Sequence, residues 1–337
     1  MTTATAQRVE DGKAWIAWLE SGQWEKAMDG AGAMLPALAV EVVRMAQDPD
    51  VAPSKITQVV SKDPVLAAHV VRLANSAASG SATTITSLSE AVVRVGTTAV
   101  RQMVTATCVT SKLKNPKTYG ANGRDLVDHC IGTAYLAWLV ADRVDGDSDE
   151  AFLIGLLHDI GKFVILKLAN EDKPLAPGAM SSEQFDSLIA ARHAGIGGRA
   201  LARWTFAPDV QIPVAFHHDP SLAAPEYRKN AQVAYAANRL AHRYGFGCPV
   251  DDRNLLEDQV FLELGFDEAF LKELDQRAPG LFEVARENLV VSGRGRARSA
   301  LAPFNSRTSQ RRLRLKPRFD FACSTSCARS ADVPPPD

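Results

Sequence analysis

The sequence predicts an all-α fold, because helical periodicity recurs along the chain, turn residues separate the periodic segments, and strand-like alternation is scarce. Apolar residues repeat at intervals of three and four over residues 35–45, 56–60, 65–73, 91–104, 126–140, 185–204 and 233–241. Short turns join these segments, which is typical of a compact helical bundle.

Helix-breaking residues set the limits of the elements in chain order. Proline or glycine turns lie at residues 48–50, 52–54, 63–64, 79–81, 115–116, 145–147, 174–178, 219–220 and 245–249. Before the first of these turns, the pattern of residues 11–28 predicts a further amphipathic helix that carries Trp15, Trp18 and Trp24. The spacing of these tryptophans indicates core packing rather than a ligand cage.

Length and composition bound the class of protein. With 337 residues, 46% of them hydrophobic, the chain can bury a core as two compact units or one large unit with extensions. Lys plus Arg (38) balances Asp plus Glu (39), so no overall field points to nucleic acid. No apolar run approaches the roughly 18 residues of a membrane span. The start lacks a signal-peptide pattern, and five irregularly spaced cysteines fit a reducing compartment, so we expect a cytoplasmic protein.

The composition changes near residue 291. Residues 291–337 contain ten Lys or Arg against three acids, lose helical periodicity and gain Pro, Ser and Gly. This pattern predicts a basic, disordered tail, and nucleic acid is expected as a partner only through it. Cys323 and Cys327 lie within it as a C-x-x-x-C pair, but no second pair completes a zinc site.

Five of the seven histidines follow an order that suggests a metal site. A single histidine, a His-Asp doublet, another single histidine and a His-His doublet occur in turn, as His129, His158, Asp159, His193, His217 and His218. Imidazoles with one carboxylate suit Fe, Mn, Ni or Zn better than Mg or Ca. A binuclear site of this kind activates water for attack on phosphorus. The alternative is that each ring is held by a backbone carbonyl or caps a helix. We expect His69 and His242 to be structural or surface residues.

Local sequence patterns predict the surroundings of three of these histidines. His129 follows Asp125 by one turn on a predicted helix, and His158 ends the apolar run A-F-L-I-G-L-L. Gly161 then supplies the permissive backbone that a helix end favours. His193 opens H-A-G-I-G-G-R, whose small residues allow close helix approach; no strand precedes it, so it is not a dinucleotide fingerprint.

The sequence resembles the HDOD (HD-related output domain) family, a bacterial signalling module related to the HD and HD-GYP phosphohydrolases. The resemblance covers about residues 31–225. It is carried by L-P-A-L-A-V-E-V-V-R-M-A-Q-D-P-D (35–50), I-T-Q-V-V-S-K-D-P-V-L-A-A-H-V-V-R-L-A-N-S-A (56–77), I-T-S-L-S-E-A-V-V-R-V-G (85–96), G-L-L-H-D-I-G-K (155–162), R-H-A-G-I-G-G-R-A-L-A-R-W (192–204) and A-F-H-H-D-P (215–220).

The resemblance implies a domain plan and a fold. It implies an N-terminal helical subdomain at 31–120 and an HD-like helical subdomain at 121–225, which together form the HDOD domain. We expect residues 1–30 to form a helical extension, 226–290 to pack as C-terminal helices on the HD-like part, and 291–337 to form the tail.

The resemblance also assigns residues. The five histidines and Asp159 match metal-ligand positions of HD-GYP relatives, and Lys162 matches their phosphate-contacting lysine. Two departures weaken catalysis: S-L-A-A-P-E-Y-R replaces the G-Y-P segment, and Asn238 stands where the hydrolases keep an aspartate. An amide oxygen coordinates a cation without contributing negative charge, so the positive charge of a metal ion at that position would be less fully neutralised. His242, one turn further on, is a candidate substitute.

Two functions follow from these residues. The first is a non-catalytic signal-transduction output or scaffold that binds signalling proteins, with a nucleotide or cyclic dinucleotide as a further candidate ligand. The second is a metal-dependent phosphohydrolase or phosphodiesterase in which Asp159 and Lys162 act in catalysis. No cofactor is required by the first function, whereas the second needs a divalent transition metal.

Overall fold

The structure is a computed structural model of the whole chain. It describes residues 9, 11–27, 41, 45, 51–62, 64–77, 85–97, 100, 102–104, 106–107, 116–119, 123–176, 178–204 and 206–289. The predicted tail at 291–337, with its cysteine pair, and most of the predicted helix at 35–45 lie outside the described residues.

The described residues form helices, which confirms the all-α prediction. The α-helices in chain order are α1 Gly12–Glu20, α2 Trp24–Ala27, α3 Pro53–Val60, α4 Pro64–Ala77, α5 Leu88–Val95, α6 Pro116–Tyr119, α7 Gly123–Arg143, α8 Ser148–Leu157, α9 Ile160–Lys167, α10 Ser182–Arg203, α11 Pro208–Ala215, α12 Pro225–Arg243, α13 Gln259–Glu263 and α14 Glu268–Leu289. Within the described part of the chain, extended pairing is limited to one isolated bridge between Val9 and Leu175. None of these helices is both long and apolar enough to cross a bilayer.

An asparagine fixes the connection between α4 and α5. The side chain of Asn75 donates a hydrogen bond to the carbonyl of Ile85 and accepts one from its amide, both at 2.8 Å. This double contact explains why the L-A-N-S-A stretch carries asparagine. The predicted helix at 91–104 was wrong as one element, because Gly96 ends α5 with a left-handed φ of 88°.

The N-terminal helices pack on the HD-like part of the chain. Trp15 and Trp24 are fully buried, as the core-packing interpretation predicts. The indole of Trp15 contacts the ring of Phe185 in α10 and donates from Nε1 to the carbonyl of Lys173 at 2.9 Å. Arg192 of α10 pairs with Glu20 of α1 at 2.6 Å. Aromatic burial therefore joins the extension to α10.

Helix α7 lies between two hydrophobic cores. Its Ile131 and Ala134 belong to the larger core, whereas Leu136 and Val140 belong to a second core with residues of α12 and α14. Gly155 of α8 packs directly on α7, because a Cβ there would lie 2.9 Å from Ala134 Cα. This close packing holds the end of α8 beside the middle of α7.

Candidate functional site

Two helices and two turns carry the predicted histidines and Asp159 and bring them together. His129 lies on α7, the His158-Asp159 doublet fills the turn between α8 and α9, and His193 lies on α10. His217 and His218 occupy the turn after α11. All of these side chains are buried except that of His218, which reaches the surface. Their role as metal ligands stays a prediction, but their proximity is a feature of the fold.

The six side chains form two triads of donor atoms. His129, His158 and Asp159 form the first triad, and His193, His217 and His218 form the second; within each triad the donor atoms all lie within 4.8 Å of one another. We call them the first and second triads below. Each has the donor number and spacing that a divalent metal ion requires.

Asp159 connects the two triads. Its Oδ2 lies 3.6 Å from Nε2 of His129 and 3.4 Å from Nε2 of His158. Its Oδ1 lies 3.2 Å from Nε2 of His193 and 3.9 Å from Nε2 of His217. The two carboxylate oxygens therefore face different triads, the arrangement that a carboxylate bridging two metal ions would need.

Lys162 contacts the same carboxylate from α9. Its Nζ donates to Oδ2 of Asp159 at 2.7 Å, and its side chain is 27% exposed. Burial alone would raise the pKa of Asp159, but the electrostatic effects of the neighbouring His158 and of the Lys162 ammonium group hold that pKa well below its usual value. Burial would lower the pKa of Lys162, and the Asp159 carboxylate raises it instead. Asp159 is therefore ionised at neutral pH.

Backbone carbonyls fix the tautomers of four of these histidines. The Nδ1 atoms of His129, His158, His193 and His217 donate to the carbonyls of Phe246, Gly155, Ile189 and Val214 at 2.7 to 3.1 Å. A carbonyl only accepts, so Nδ1 carries the proton and Nε2 is the atom left to bind a ligand. Four of the rings thus have the carbonyl partner that the alternative interpretation expects, and binding of a metal by their Nε2 atoms stays a prediction.

The facing nitrogens fit a bound cation. Nε2 of His129 lies 3.2 Å from Nε2 of His158. Burial and the neighbouring His158 lower the pKa of His129 to about 3, so at neutral pH its Nε2 presents a lone pair. In the second triad, Nε2 of His217 is buried without a hydrogen-bond partner among the described residues. Nitrogen-rich donors with one carboxylate match a divalent transition metal better than Mg²⁺ or Ca²⁺.

Two histidines of the second triad are also held uncharged. The side of His218 that faces the site is shielded from water although the residue reaches the surface, and this shielding, followed by the neighbouring His193, lowers the pKa of His218 to about 3. Burial and the adjacent His218 also lower the pKa of His217 well below its usual value. Neutral imidazoles are the form that binds metals, so the fold keeps these rings ready for a cation.

Glycines allow the helices to bring the triads together. A Cβ on Gly161 would lie 1.9 Å from the carbonyl oxygen of His193, and one on Gly198 would lie 2.7 Å from Cβ of Ala215. The prediction that the small residues after His193 allow close approach is confirmed for Gly197 and Gly198. The role expected for Gly161 was wrong, since it lies inside α9 without a positive φ and serves through its small size.

A loop after α12 completes the surroundings of His129, and the sequence reasoning missed it. Phe246 supplies the carbonyl that accepts from His129. Gly247 has a φ of 63°, and a Cβ there would lie 2.0 Å from the carbonyl oxygen of Asp125 on α7. The G-F-G-C-P run marks a turn, but the spacing alone does not indicate which helix it contacts.

Asn238 and His242 lie one turn apart on α12, and His242 lies beside His129 of the first triad. Asn238 is buried, and its Oδ1 has no hydrogen-bond partner among the described residues. The ring centroid of His242 lies 5.2 Å from that of His129. Asn238 therefore lies in the protein interior. His242, which was expected to be a structural or surface residue, lies beside His129 of the candidate site.

The HDOD domain model matches residues 33–220, which is more than half of the chain. The chain belongs to the HDOD family. Among curated proteins, this HDOD chain is 26% identical to an uncharacterized protein of Treponema pallidum (strain Nichols) over 217 residues, which are 60% of the chain and 41% of that relative. The chain therefore spans about two-fifths of that relative.

Solved structures share the fold. An HDOD domain protein of unknown function from Geobacter sulfurreducens superposes with a TM-score of 0.63 at 22% identity, over 84% of this HDOD chain and all of that one (100%). A phosphohydrolase candidate from Shewanella amazonensis superposes with a TM-score of 0.57 at 27% identity, over 76% and 94% of the two chains. A shorter match, 34% identical over 108 residues, joins 32% of this chain to 16% of the ribonuclease Y of Opitutus terrae.

Proposed function

We propose that this HDOD chain is a non-catalytic signal-transduction output module that binds partner proteins through its helical surfaces. In this proposal each of the two triads holds a divalent transition-metal ion, Fe, Mn, Ni or Zn, as part of the scaffold. The two ions would neutralise Asp159 and link α7, α8, α10 and α11. We place the protein in the cytoplasm, where signalling proteins are available as partners.

The observation that carries the proposal is the burial of the Asp159 carboxylate. Only 1% of its side chain is exposed, and Lys162 contacts its Oδ2 at 2.7 Å. A hydrolase needs a path by which its substrate reaches the metal at this carboxylate, whereas a structural metal ion does not. In addition, Asn238 brings no second carboxylate to the first triad, which leaves a divalent ion undercompensated.

Helix α5 offers an apolar side chain for a partner. Val93 is 72% exposed, one of three large hydrophobic side chains exposed in the described part of the chain. It belongs to the I-T-S-L-S-E-A-V-V-R-V-G stretch, which carries part of the HDOD resemblance. A scaffold that acts through such helical faces would depend on α5 and not on the buried triads.

The discriminating experiment compares two variants of the full chain. His158→Ala/Asp159→Ala removes donors of the first triad, and Val93→Glu changes the α5 surface; circular dichroism checks that both fold. Partner capture from the source cell should survive the double variant and fail in Val93→Glu. Loss of capture in the double variant, with capture unchanged in Val93→Glu, contradicts the scaffold proposal.

A phosphodiesterase is the second candidate function, because Lys162 is partly exposed beside six retained ligand-type side chains. The ribonuclease Y name of the short relative and the phosphohydrolase candidate from Shewanella amazonensis point the same way. Metal-loaded protein should therefore be tested with mononucleotides, cyclic dinucleotides, short RNA and a generic phosphodiester. Turnover that disappears in Asp159→Asn would overturn the non-catalytic proposal.

A further inference from the structure

Helix α12, which packs on α7, carries two candidate donor side chains, Asn238 and His242. Asn238 and His242 are four residues apart, so they lie one above the other on the same face of the helix. Asn238 is 7% exposed and its buried Oδ1 lacks a hydrogen-bond partner within the described residues. The ring of His242 packs against the ring of His129 at 5.2 Å between centroids.

His242 shares the hydrogen-bonding pattern of the buried histidines. Its Nδ1 lies 3.2 Å from the carbonyl of Pro249, so it donates there and leaves Nε2 as the lone-pair atom. Phe246, three residues earlier in the same loop, supplies the carbonyl for His129. One loop therefore orients two neighbouring imidazoles in the way that the carbonyl partners of metal ligands do.

We propose that His242 is a metal-ligating residue of the first triad, donating Nε2 to the ion held by His129, His158 and Asp159, with Oδ1 of Asn238 as the adjacent oxygen donor. This inference rests on the proposed metal centre. His242 lies outside the triad whose donor atoms are within 4.8 Å of one another. Its ring is half-buried and packs against that of His129.

The donor set has a consequence for the choice of metal. A third imidazole with one carboxylate gives a nitrogen-rich position of low charge, which selects Fe²⁺, Co²⁺, Ni²⁺ or Zn²⁺ over Mn²⁺ and Mg²⁺. A second carboxylate at position 238 would shift the preference toward Mn²⁺. The two residues on α12 therefore determine which ion the first triad selects.

A Co²⁺ titration of the untagged, metal-stripped full chain tests this assignment through the visible spectrum and the cobalt bound per chain. His242→Phe keeps an aromatic ring against His129 but removes the donor. Arg243→Gln is the matched control on the same helix, since Arg243 pairs with Asp275 and not with the triads. His193→Ala/His218→Ala disables the second triad, so that the first can be followed alone.

We expect wild type and Arg243→Gln to bind about two Co²⁺ ions, and His242→Phe to weaken one of them about tenfold or more while the other is unchanged. In the His193→Ala/His218→Ala background, His242→Phe should remove the remaining cobalt spectrum. Added imidazole should restore binding to His242→Ala, which separates donor loss from misfolding. Equal cobalt affinity in wild type and His242→Phe overturns the assignment and leaves the metal centre standing; absence of cobalt binding in wild type overturns both.

Discussion

At the scale of single residues, Asp159 determines what the site does. It is a buried carboxylate that contacts Lys162 and faces histidines of both triads. Its ionised form is stabilised by these neighbours against the cost of burial. A bound ion would share this carboxylate with Lys162, so metal binding and the lysine contact compete for one oxygen.

Asn238→Asp should have opposite effects with and without metal. The new carboxylate would be buried and unpaired in the metal-free protein, so we expect a loss of about 1–3 kcal/mol in the free energy of unfolding. With metal present, it supplies the missing charge, and affinity for the ion should rise about tenfold. Thermal unfolding with and without Zn²⁺, together with metal titration, measures both effects. Equal metal affinity in the two proteins contradicts the role assigned to Asn238.

Glu150 predicts a pH dependence of stability. Burial raises the pKa of Glu150 from 4.5 to about 7. The negative charge of Asp209 adds to this effect, and the hydrogen bond from Asn230 partly offsets it. Between these values the folded chain holds a proton that the unfolded chain has lost, so stability falls as the pH rises. Glu150→Gln should therefore be more stable than wild type by about 1 kcal/mol near pH 8, with the difference shrinking toward pH 5. Denaturant unfolding of both proteins between about pH 5 and pH 8 measures this difference in the free energy of unfolding. A difference that does not change with pH would show that the Glu150 proton is not involved.

At the scale of elements, the sequence predicted the positions of the helices better than their packing against one another. Periodicity located the ends of α7 and α10 within about three residues, because each has an apolar repeat of helical spacing, but it placed the start of α12 at residue 233 instead of Pro225. The periodicity over residues 91–104 joined α5 to the segment that follows it, because a single glycine in an apolar pattern does not reveal that its φ is left-handed. The order of the histidines predicted the candidate site, whereas the carbonyl from Phe246 depends on a tertiary contact 117 residues away in sequence.

Two glycines near His193 give a matched test of close helix packing. Gly161→Ala would place a Cβ against the His193 backbone, whereas a Cβ on Gly195 meets nothing within 4 Å. We expect Gly161→Ala to cost about 3 kcal/mol or more and to weaken metal binding by moving α10 from α9. Gly195→Ala should be neutral or stabilising by up to about 1 kcal/mol. Similar unfolding midpoints for the two variants would refute the packing argument.

At the scale of the whole molecule, the N-terminal helices are part of the fold that carries the site. Trp15 is fully buried and contacts Phe185 of α10, the helix that also bears His193. Trp15→Ala should lower the free energy of unfolding by about 3–5 kcal/mol through the cavity it leaves. Glu20→Gln, which removes only the exposed pair with Arg192, should change it by less than about 1 kcal/mol. Chemical denaturation distinguishes the two, and equal small losses would show that the extension is not integral to the core.

The central claim is that the two triads form one metal centre in this HDOD chain. The most direct measurement is the metal content, by inductively coupled plasma mass spectrometry, of the full chain purified without an affinity tag or chelator, beside His158→Ala/Asp159→Ala prepared identically. We expect about two divalent transition-metal ions per wild-type chain and a clear loss in the double variant. Wild-type protein without metal, or equal metal content in the two proteins, would contradict it.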